Sequence, residues 1–385
     1  MMKLQVWRSA AQRLSGTRAY AGGPRTAAEV RSVGALGVSR APSFSSVPGS
    51  RLRGLIWHQA PENVFVVKKP GSAETTAAAV EFIRHMHDKY PRLNVMVTAD
   101  MAEELRASLC ATAPECVLYT GSESEIAARA DLLVSLGGDG TILRAAGLFS
   151  EARVPPVLAF SMGTLGFLLP FEFSEHAQAF DDVLQSRAHC LQRSRLVCRV
   201  VRDGLPVDGR QVHAMNDVFI HRGSAPHLAH LDIYVGKQFL TNTVADGVAV
   251  ATPTGSTAYS LSAGGSIVSP DVPSVLLTPI CPRSLSFRPV ILPDSSLLRL
   301  VIGAKSAQDP AAAKLCMSVD GVSQAPLYVG DELHVTDEVG MADVPRDAGV
   351  YCVARSENDW TRGINELLGF NMGFRGGRRA ASPYS

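Results

Sequence analysis

The chain carries Gly137-Gly138-Asp139-Gly140-Thr141 directly after an apolar run, residues 132–136 (LLVSL), and directly before a helix-like segment, residues 141–146 (TILRAA). Strand, glycine turn and helix start together are typical of a phosphate site, because glycines let the backbone approach an anion and a helix N-terminus favours negative charge. The Asp139 carboxylate can reach a metal ion or a nucleophilic hydroxyl. This glycine motif (residues 137–141) predicts nucleotide-dependent chemistry. The alternative is a tight turn in which Asp139 only caps the helix.

A second stretch, the hydroxyl-rich segment (residues 252–265, TPTGSTAYSLSAGG), contains mostly small or hydroxyl-bearing residues. Its hydroxyls and backbone donors could line a polar ligand, and Tyr259 could stack on a base or another ring. The alternative is structural: Ser256 and Thr257 would cap a helix while Tyr259 packs in a core.

The pattern of apolar residues divides the chain into two parts. Residues 60–185 alternate strand-like and helix-like segments, which predicts a parallel sheet covered by helices, with ligands at the carboxyl ends of its strands. Residues 190–350 show short alternating strands separated by turn pairs, which predicts a β-rich domain. We therefore expect an N-terminal α/β, Rossmann-like domain (54–187, with 355–372 returning to it), a C-terminal β-rich domain (188–354) and a disordered tail (373–385).

The first 53 residues contain nine Lys or Arg and one acid, Glu29, whereas the remainder is mildly acidic. An Arg-rich, Ser-rich, acid-poor start with apolar residues at helical spacing predicts a transit peptide and a mitochondrial matrix location; the alternative is a disordered basic tail. The acidic remainder argues against a nucleic-acid partner, and the absence of an 18-residue apolar run argues against a membrane span. Seven widely spaced cysteines without a Cys-x-x-Cys pair argue against a disulfide framework or zinc site.

Four features occur in the order seen in NAD kinases: the glycine motif, residues 161–168 (SMGTLGFL), Asn216-Asp217, and Asp246-Gly247 followed by the hydroxyl-rich segment. The chain resembles that family over about residues 60–370, and its mitochondrial NADH-kinase members most. The resemblance implies an NAD-kinase-like two-domain fold and transfer of the γ-phosphate of ATP to the 2′-hydroxyl of the adenosine ribose of NAD+ or NADH. It also implies Mg2+ or another divalent metal, and a homodimer or homotetramer. Polyphosphate as donor and the choice between NAD+ and NADH stay open.

The resemblance also assigns roles to residues. Asp139 corresponds to the catalytic aspartate that accepts the hydroxyl proton. The other positions correspond to nucleotide-binding residues: Gly138, Gly140, Thr141, Asn216, Asp217, His227, Asp246, Thr257, Ala258, Tyr259 and Ser262. Asp217 stands where bacterial members commonly have Glu, and His227 is the weakest correspondence because a lone histidine is usually structural.

Three other functions compete with this interpretation. Diacylglycerol and sphingoid-base kinases share the glycine motif, but the polar hydroxyl-rich segment suits a nucleotide better than an acyl chain. A non-catalytic NAD-binding sensor would not need Asp139. A dehydrogenase would carry Gly-x-Gly-x-x-Gly after its first strand, and this pattern is absent.

Overall fold

The computed structural model describes residues 28–113, 115–150, 152–163, 166–207, 211–303, 314–340 and 348–368. Most of the predicted presequence (1–27) and the predicted tail (373–385) lie outside these residues, as do 369–372 of the returning segment.

The strands are, in chain order, β1 (Glu29–Ser32), β2 (Ser43–Ser46), β3 (Arg53–Ile56), β4 (Asn63–Lys68), β5 (Asn94–Met96), β6 (Val117–Thr120), β7 (Leu132–Gly137), β8 (Val157–Ser161), β9 (Phe171–Glu172), β10 (His189–Arg193), β11 (Leu196–Arg202), β12 (Leu205–Pro206), β13 (Val212–Ala214), β14 (Asp217–His221), β15 (Ala229–Val235), β16 (Gln238–Ala245), β17 (Gly247–Ala251), β18 (Ser274–Ile280), β19 (Val290–Pro293), β20 (Leu298–Ile302), β21 (Lys314–Val319), β22 (Val322–Ser323), β23 (Leu327–Tyr328), β24 (Glu332–Asp337) and β25 (Val350–Ala354). The α-helices are α1 (Ala73–Lys89), α2 (Ala99–Thr112), α3 (Glu123–Ala127), α4 (Asp139–Gly147), α5 (His176–Leu184), α6 (Tyr259–Ser262) and α7 (Asp359–Leu368), and short 3-10 turns span Val33–Ala35, Phe173–Glu175 and Thr254–Thr257.

The first domain is built on an eleven-stranded sheet ordered β1-β6-β5-β4-β7-β8-β25-β10-β3-β2, with β9 beside β8. Strands β4, β7 and β8 are parallel neighbours and buried along their whole length. Such continuous apolar runs are typical of parallel strands covered on both faces. One face packs against Phe82, Leu105 and Phe180 from α1, α2 and α5. The other packs against Ile142 and Ala146 of α4.

The glycine motif lies where the strand order reverses. From β4 the chain builds outward on one side through β5 and β6, and then returns to place β7 on the other side of β4. The loop after β4 therefore meets the turn after β7: the Lys69 N–H donates to the Leu136 carbonyl at 2.9 Å. Ligands of open α/β sheets bind at such a reversal, at the carboxyl ends of the strands.

The second domain consists of two packed antiparallel sheets. One is ordered β12-β11-β24-β20-β15-β16 and the other β19-β18-β17-β14-β21-β22, with β13 and β23 alongside. Their inner faces form one apolar cluster that includes Leu231, Val248 and Leu300. This arrangement confirms the predicted fold class of an α/β domain followed by a β-rich domain.

Two predicted boundaries are wrong. Strands β10 and β25 fall inside the range expected for the β-rich domain (188–354), yet they pair with each other, with β3 and with β8 in the first sheet. The segment expected to be presequence (1–53) contains β1, β2 and the start of β3, with Val33 buried and Phe44 stacked on Tyr351. Apart from the local β2–β3 hairpin, the contacts that place these segments lie far away in the chain, so local composition does not encode them.

Within the described part of the chain, no helix combines the length and apolar character needed to cross a membrane.

Candidate active site

Asp139 is the first residue of α4, immediately beyond β7. Its carboxylate accepts hydrogen bonds from the backbone N–H of Phe167, at 3.2 Å, and of Leu168, at 3.1 Å. Both donors lie in the segment that follows β8, the parallel strand next to β7. Two parallel strands thus deliver the acid and the backbone donors that fix it at one edge of the sheet.

Close approach of these segments depends on glycines. A Cβ at Gly166 would lie 2.3 Å from Oδ1 of Asp139, and a Cβ at Gly137, where φ is +153°, would lie 2.5 Å from Oγ1 of Thr141. Gly138 and Gly140 are exposed, and a Cβ at either would meet nothing within 4 Å. The open side of the glycine motif therefore has room for a ligand next to Asp139.

The pKa of Asp139 is raised above its ordinary value, chiefly because burial removes water from the carboxylate. The Leu168 and Phe167 N–H groups and the positive charge of Arg193 act in the opposite direction and lower the pKa. Competing effects of this kind keep a carboxylate ionised while making it a better proton acceptor than a solvated one.

The Asn216-Asp217 pair lies at the start of β14 and is fixed by a residue more than a hundred positions away. The carboxylate of Asp320 accepts from the N–H groups of Met215 (2.8 Å), Asn216 (2.8 Å) and Asp217 (3.1 Å). Asp320 lies in the two-residue turn between β21 and β22. The turn that contains Asp320 therefore does more than connect two strands, because it also fixes the backbone of the predicted nucleotide-binding pair.

Asp217 is 7 % exposed, and burial together with the nearby Asp320 raises its pKa to about 6. Perturbed carboxylates in a cleft are typical of functional sites, although structural networks also produce them. Asp217 is held next to the hydroxyl-rich segment, because the Thr252 N–H donates to the Asn216 carbonyl at 2.9 Å. A Cβ at Gly255 would lie 2.0 Å from that same carbonyl oxygen.

Most hydroxyls of the hydroxyl-rich segment bond within the protein. Thr252 donates to the Met215 carbonyl, and Thr257 donates to the Thr254 carbonyl. Ser256 both donates to the Val268 carbonyl and accepts from its N–H, and the Ser260 and Thr278 hydroxyls are 2.8 Å apart. These hydroxyls hold the segment in shape by bonding to other groups of the protein, and a ligand-binding role for any of them, including Thr257, stays a prediction.

Other residues of this segment face outward. Tyr259 is 43 % exposed, and its ring centroid lies 4.7 Å from that of Phe219. Its pKa is raised, first by partial burial and then by the charges of Cys281, Asp246 and Asp217, so the predicted ligand residues Asp217, Asp246 and Tyr259 share one neighbourhood. Ser262 is exposed at the end of α6, and Ala258 is half-buried just before it.

Asp246 does not lie in a hairpin turn. It connects β16 to β17, which belong to different sheets, and Oδ1 of its carboxylate lies 2.7 Å from Nε of Arg222. The Arg222 N–H also donates to the Asp246 carbonyl, at 3.0 Å. Asp246 is thus fixed at a corner between the sheets, on the side of Tyr259.

His227 is exposed in the loop between β14 and β15. No hydrogen bond, ion pair or ring contact to another described residue holds it, so its nucleotide-binding role stays a prediction from the resemblance alone.

Sequence analysis missed Arg193, which ends β10 and is only 5 % exposed. Its guanidinium donates to the Phe167 carbonyl at 3.0 Å and to the Thr254 hydroxyl at 3.1 Å. Phe167 also holds the Asp139 carboxylate through its backbone N–H, and Thr254 belongs to the hydroxyl-rich segment. Arg193 therefore joins the two predicted ligand regions. The sequence offered one signal for Arg193, namely a charged residue close to the predicted domain boundary.

No group of three or more His, Cys, Asp or Glu side chains that could hold a metal occurs among the described residues. Mg2+ commonly binds through substrate phosphates together with one or two carboxylates. The described residues therefore form no protein-only metal cluster, and a divalent ion carried on the phosphates of a nucleotide would fit at the open side of the glycine motif, next to Asp139.

Comparison with known proteins agrees with this geometry. The ATP-NAD kinase N-terminal domain matches residues 64–188, and the ATP-NAD kinase C-terminal domain matches residues 215–341. The chain is 50 % identical to the mitochondrial NADH kinase POS5 of Saccharomyces cerevisiae, over 90 % of each chain. It is 39 % identical to the mitochondrial NADH kinase pos5 of Schizosaccharomyces pombe, over 84 % of this chain and 79 % of that protein.

Solved structures show the same similarity. The crystal structure of yeast NADH kinase complexed with NADH superposes with a TM-score of 0.81 at 50 % identity, covering 91 % of this chain and all of that one. An NAD kinase from Archaeoglobus fulgidus in complex with ATP shares the fold, with a TM-score of 0.55 at 19 % identity, covering 80 % of this chain and all of that one. By its domains and its relatives, this chain belongs to the ATP-NAD kinase family.

Proposed function

We propose that the chain is an NAD(H) kinase that transfers the γ-phosphate of ATP to the 2′-hydroxyl of the adenosine ribose of NAD+ or NADH, forming NADP(H). The observation that carries this proposal is the Asp139 carboxylate, held by two backbone N–H groups at the open edge of the first sheet. Its link through Arg193 to the hydroxyl-rich segment supports a site shared by both domains. The names of the yeast relatives and the NADH-bound yeast structure support the acceptor.

In this mechanism Asp139 accepts the proton of the 2′-hydroxyl. A carboxylate is a weak base for an alcohol, but phosphoryl transfer passes through a loose transition state in which positioning and charge supply most of the barrier reduction. Gly138, Gly140 and Thr141 leave room for phosphates at the N-terminus of α4. A divalent ion bound to the phosphates of ATP would lie beside these residues and would supply positive charge there.

We assign the dinucleotide to the second domain, against Asn216, Asp217 and Asp246, and against a second group of residues in and around the hydroxyl-rich segment. That group comprises Thr257, Ala258, Tyr259, Ser262 and, as the least supported member, His227. Tyr259 offers an exposed aromatic face for stacking, and Asn216 and Asp217 offer hydrogen bonds to a ribose or nicotinamide amide.

The decisive experiment pairs D139N with D131N. Asp131 lies at the other end of β7 and is also a buried carboxylate that accepts backbone N–H bonds, from Glu62 at 2.7 Å and Asn63 at 2.8 Å. We expect D139N to keep NAD(H) binding and lower kcat by roughly 10²–10⁴-fold, the usual effect of losing a general base. D131N should cost stability and leave kcat of the folded enzyme unchanged.

The full chain is assayed with Mg-ATP against NAD+, NADH and sphingosine, with polyphosphate as a second donor. NADP(H) formation at the wild-type rate in D139N would show that Asp139 is not the base. Binding of NAD(H) without any turnover in the wild-type chain would favour the sensor, and label transfer to sphingosine would favour a lipid kinase.

The relatives' names also support a mitochondrial location. Within the mitochondrion we propose the matrix, which protease protection of the imported chain tests. A homodimer or homotetramer is the assembly that we expect by family resemblance, and light scattering of the purified protein tests it.

A further inference from the structure

The chain crosses from the first domain to the second through three residues, Arg193-Ser194-Arg195, between the end of β10 and the start of β11. Both arginines are buried, with 5 % and 3 % exposure, although arginine is rarely buried without a specific partner. Each side chain contacts residues of both domains. The connection between the domains is therefore buried, and its two arginines contact different residues.

The Arg195 side chain does not contact the glycine motif. Its guanidinium forms a bidentate ion pair with Glu338, at 2.8 and 2.9 Å, and donates to the Phe149 carbonyl beyond the C-terminal end of α4 at 3.3 Å. These contacts hold the domains together and involve neither Asp139 nor the backbone of Phe167 and Leu168 that binds it.

Arg193 forms no ion pair with a described carboxylate. It contributes to a continuous chain of contacts instead: the Thr254 hydroxyl and the Phe167 carbonyl both accept from its guanidinium, and the Phe167 N–H donates to Asp139. Its Nε is buried and lacks a hydrogen-bond partner among the described residues. The side chain thus uses two of its nitrogens to bridge the domains, and the Phe167 carbonyl that it contacts belongs to the same peptide as the Leu168 N–H that donates to Asp139.

We propose that Arg193 is a positioning residue, which fixes the Phe167–Asp139 contact relative to the hydroxyl-rich segment and so sets the distance between the proton acceptor and the dinucleotide. The planar guanidinium suits this role because it presents donors in fixed directions, which a lysine ammonium does not. An error of about 1 Å in such a distance can cost roughly 100-fold in rate.

The charge of Arg193 gives this role a signature that a purely structural role lacks. Among the described residues, the charged or titratable groups that act on Asp139 are Arg193 from β10 and the buried Cys352 thiol from β25. Arg193 lowers the pKa of Asp139 against the opposing effect of burial. Removing its charge must therefore raise that pKa and move the acid limb of kcat/KM to higher pH, because Asp139 acts in its ionised form.

The test compares R193M, R193K and the matched variant R195M in the full chain, by pH–rate profiles with Mg-ATP and NAD(H) and by thermal unfolding. We expect R193M to lower kcat by roughly 100-fold with little change in the KM for NAD(H), and to shift the acid limb upward. R193K keeps the charge but cannot reach both acceptors with one ammonium, so kcat should be intermediate and the acid limb unmoved. R195M should lower the unfolding temperature and keep the kcat and acid limb of the wild type.

An R193M enzyme with wild-type kcat, an unmoved acid limb, or a profile that R195M reproduces would overturn the proposal. If R193M fails to fold, R193K decides, since wild-type kcat in R193K would show that the two-domain bridge is not needed. The inference rests on the proposed kinase activity, and the wild-type assay separates the two: no NADP(H) from the wild type refutes the function, whereas an active wild type with an unaffected R193M refutes only the role of Arg193.

Discussion

The glycine motif and the hydroxyl-rich segment meet at the domain boundary but use their polar groups in opposite ways. In the glycine motif, backbone N–H groups hold the Asp139 carboxylate while Gly138 and Gly140 stay open. In the hydroxyl-rich segment, the hydroxyls of Thr252, Ser256 and their neighbours bond to the protein's own backbone. The glycine motif leaves its carboxylate accessible to a ligand, whereas the hydroxyl-rich segment uses most of its hydroxyls to stabilise its own conformation.

This difference shows that the number of polar side chains is a poor guide to which of them bind a ligand. Buried backbone groups outside a sheet or helix need partners, and short hydroxyl side chains provide them. Of the residues of the hydroxyl-rich segment that we assign to the dinucleotide, Tyr259 and Ser262 are the exposed ones, and Asp217 lies beside Tyr259 on β14.

The largest effect is expected from one added methyl group beside Asp139. In G166A the new Cβ would overlap Oδ1 of Asp139, at 2.3 Å, so the carboxylate must move. We expect kcat to fall roughly 100-fold, because a small displacement of a catalytic group costs that much. The matched variant is G147A at the end of α4, where a Cβ meets nothing within 4 Å and kcat should not change. Equal kcat in the two variants would show that the position of Asp139 does not limit the reaction.

A smaller effect is expected at Asp217, whose buried carboxylate has its pKa raised from an ordinary value of 3.8 to about 6. A folded-state pKa above the unfolded value means that the stabilising contribution is present below the unfolded pKa and is lost as pH rises through about 6. D217N stays neutral throughout, so at pH 8 it should be more stable than the wild type by roughly 3 kcal/mol, with no gain near pH 4. Its KM for NAD(H) should rise. Urea unfolding at the two pH values measures the difference, and an equal gain at both would exclude ionisation as the cause.

Local sequence predicted the parts of the fold in which neighbours along the chain determine structure. The apolar run of β7, the glycines that follow it and the start of α4 are contiguous, so the strand, the turn and its position at the sheet edge could be predicted together. The pattern singled out neither β10 nor β25 as a strand, and it could not have assigned them to a sheet, because the partner of a strand is a non-local choice. The same holds for β1 and β2, whose basic, Ser-rich composition indicated a presequence.

The site residues also divide into those that local sequence predicts and those that it does not. Asp139, Asn216 and Asp217 belong to short motifs, so the sequence pointed to them, and their functional roles stay predictions. Arg193 and Asp320 act on partners far away in the chain: Asp320 holds the backbone of residues 215–217, and Arg193 bonds to Phe167 and Thr254. A lone arginine at a strand end and an Asp-Gly turn have ordinary local explanations, and only the folded chain shows that each fixes a predicted catalytic or binding residue.

The smallest expected effects separate two serines of the hydroxyl-rich segment. In S256A the N–H and carbonyl of Val268 both lose their partner in a buried place, which should cost roughly 1–3 kcal/mol of unfolding free energy. The KM of the folded enzyme for NAD(H) should stay the same. In S262A the exposed hydroxyl leaves stability within about 0.5 kcal/mol, while a role in dinucleotide binding should raise the KM several-fold. Thermal unfolding and initial rates on the same samples distinguish them. If S256A raised the KM without loss of stability, and S262A did neither, the division between structural and ligand-facing hydroxyls would be the reverse of the one inferred from their hydrogen bonds.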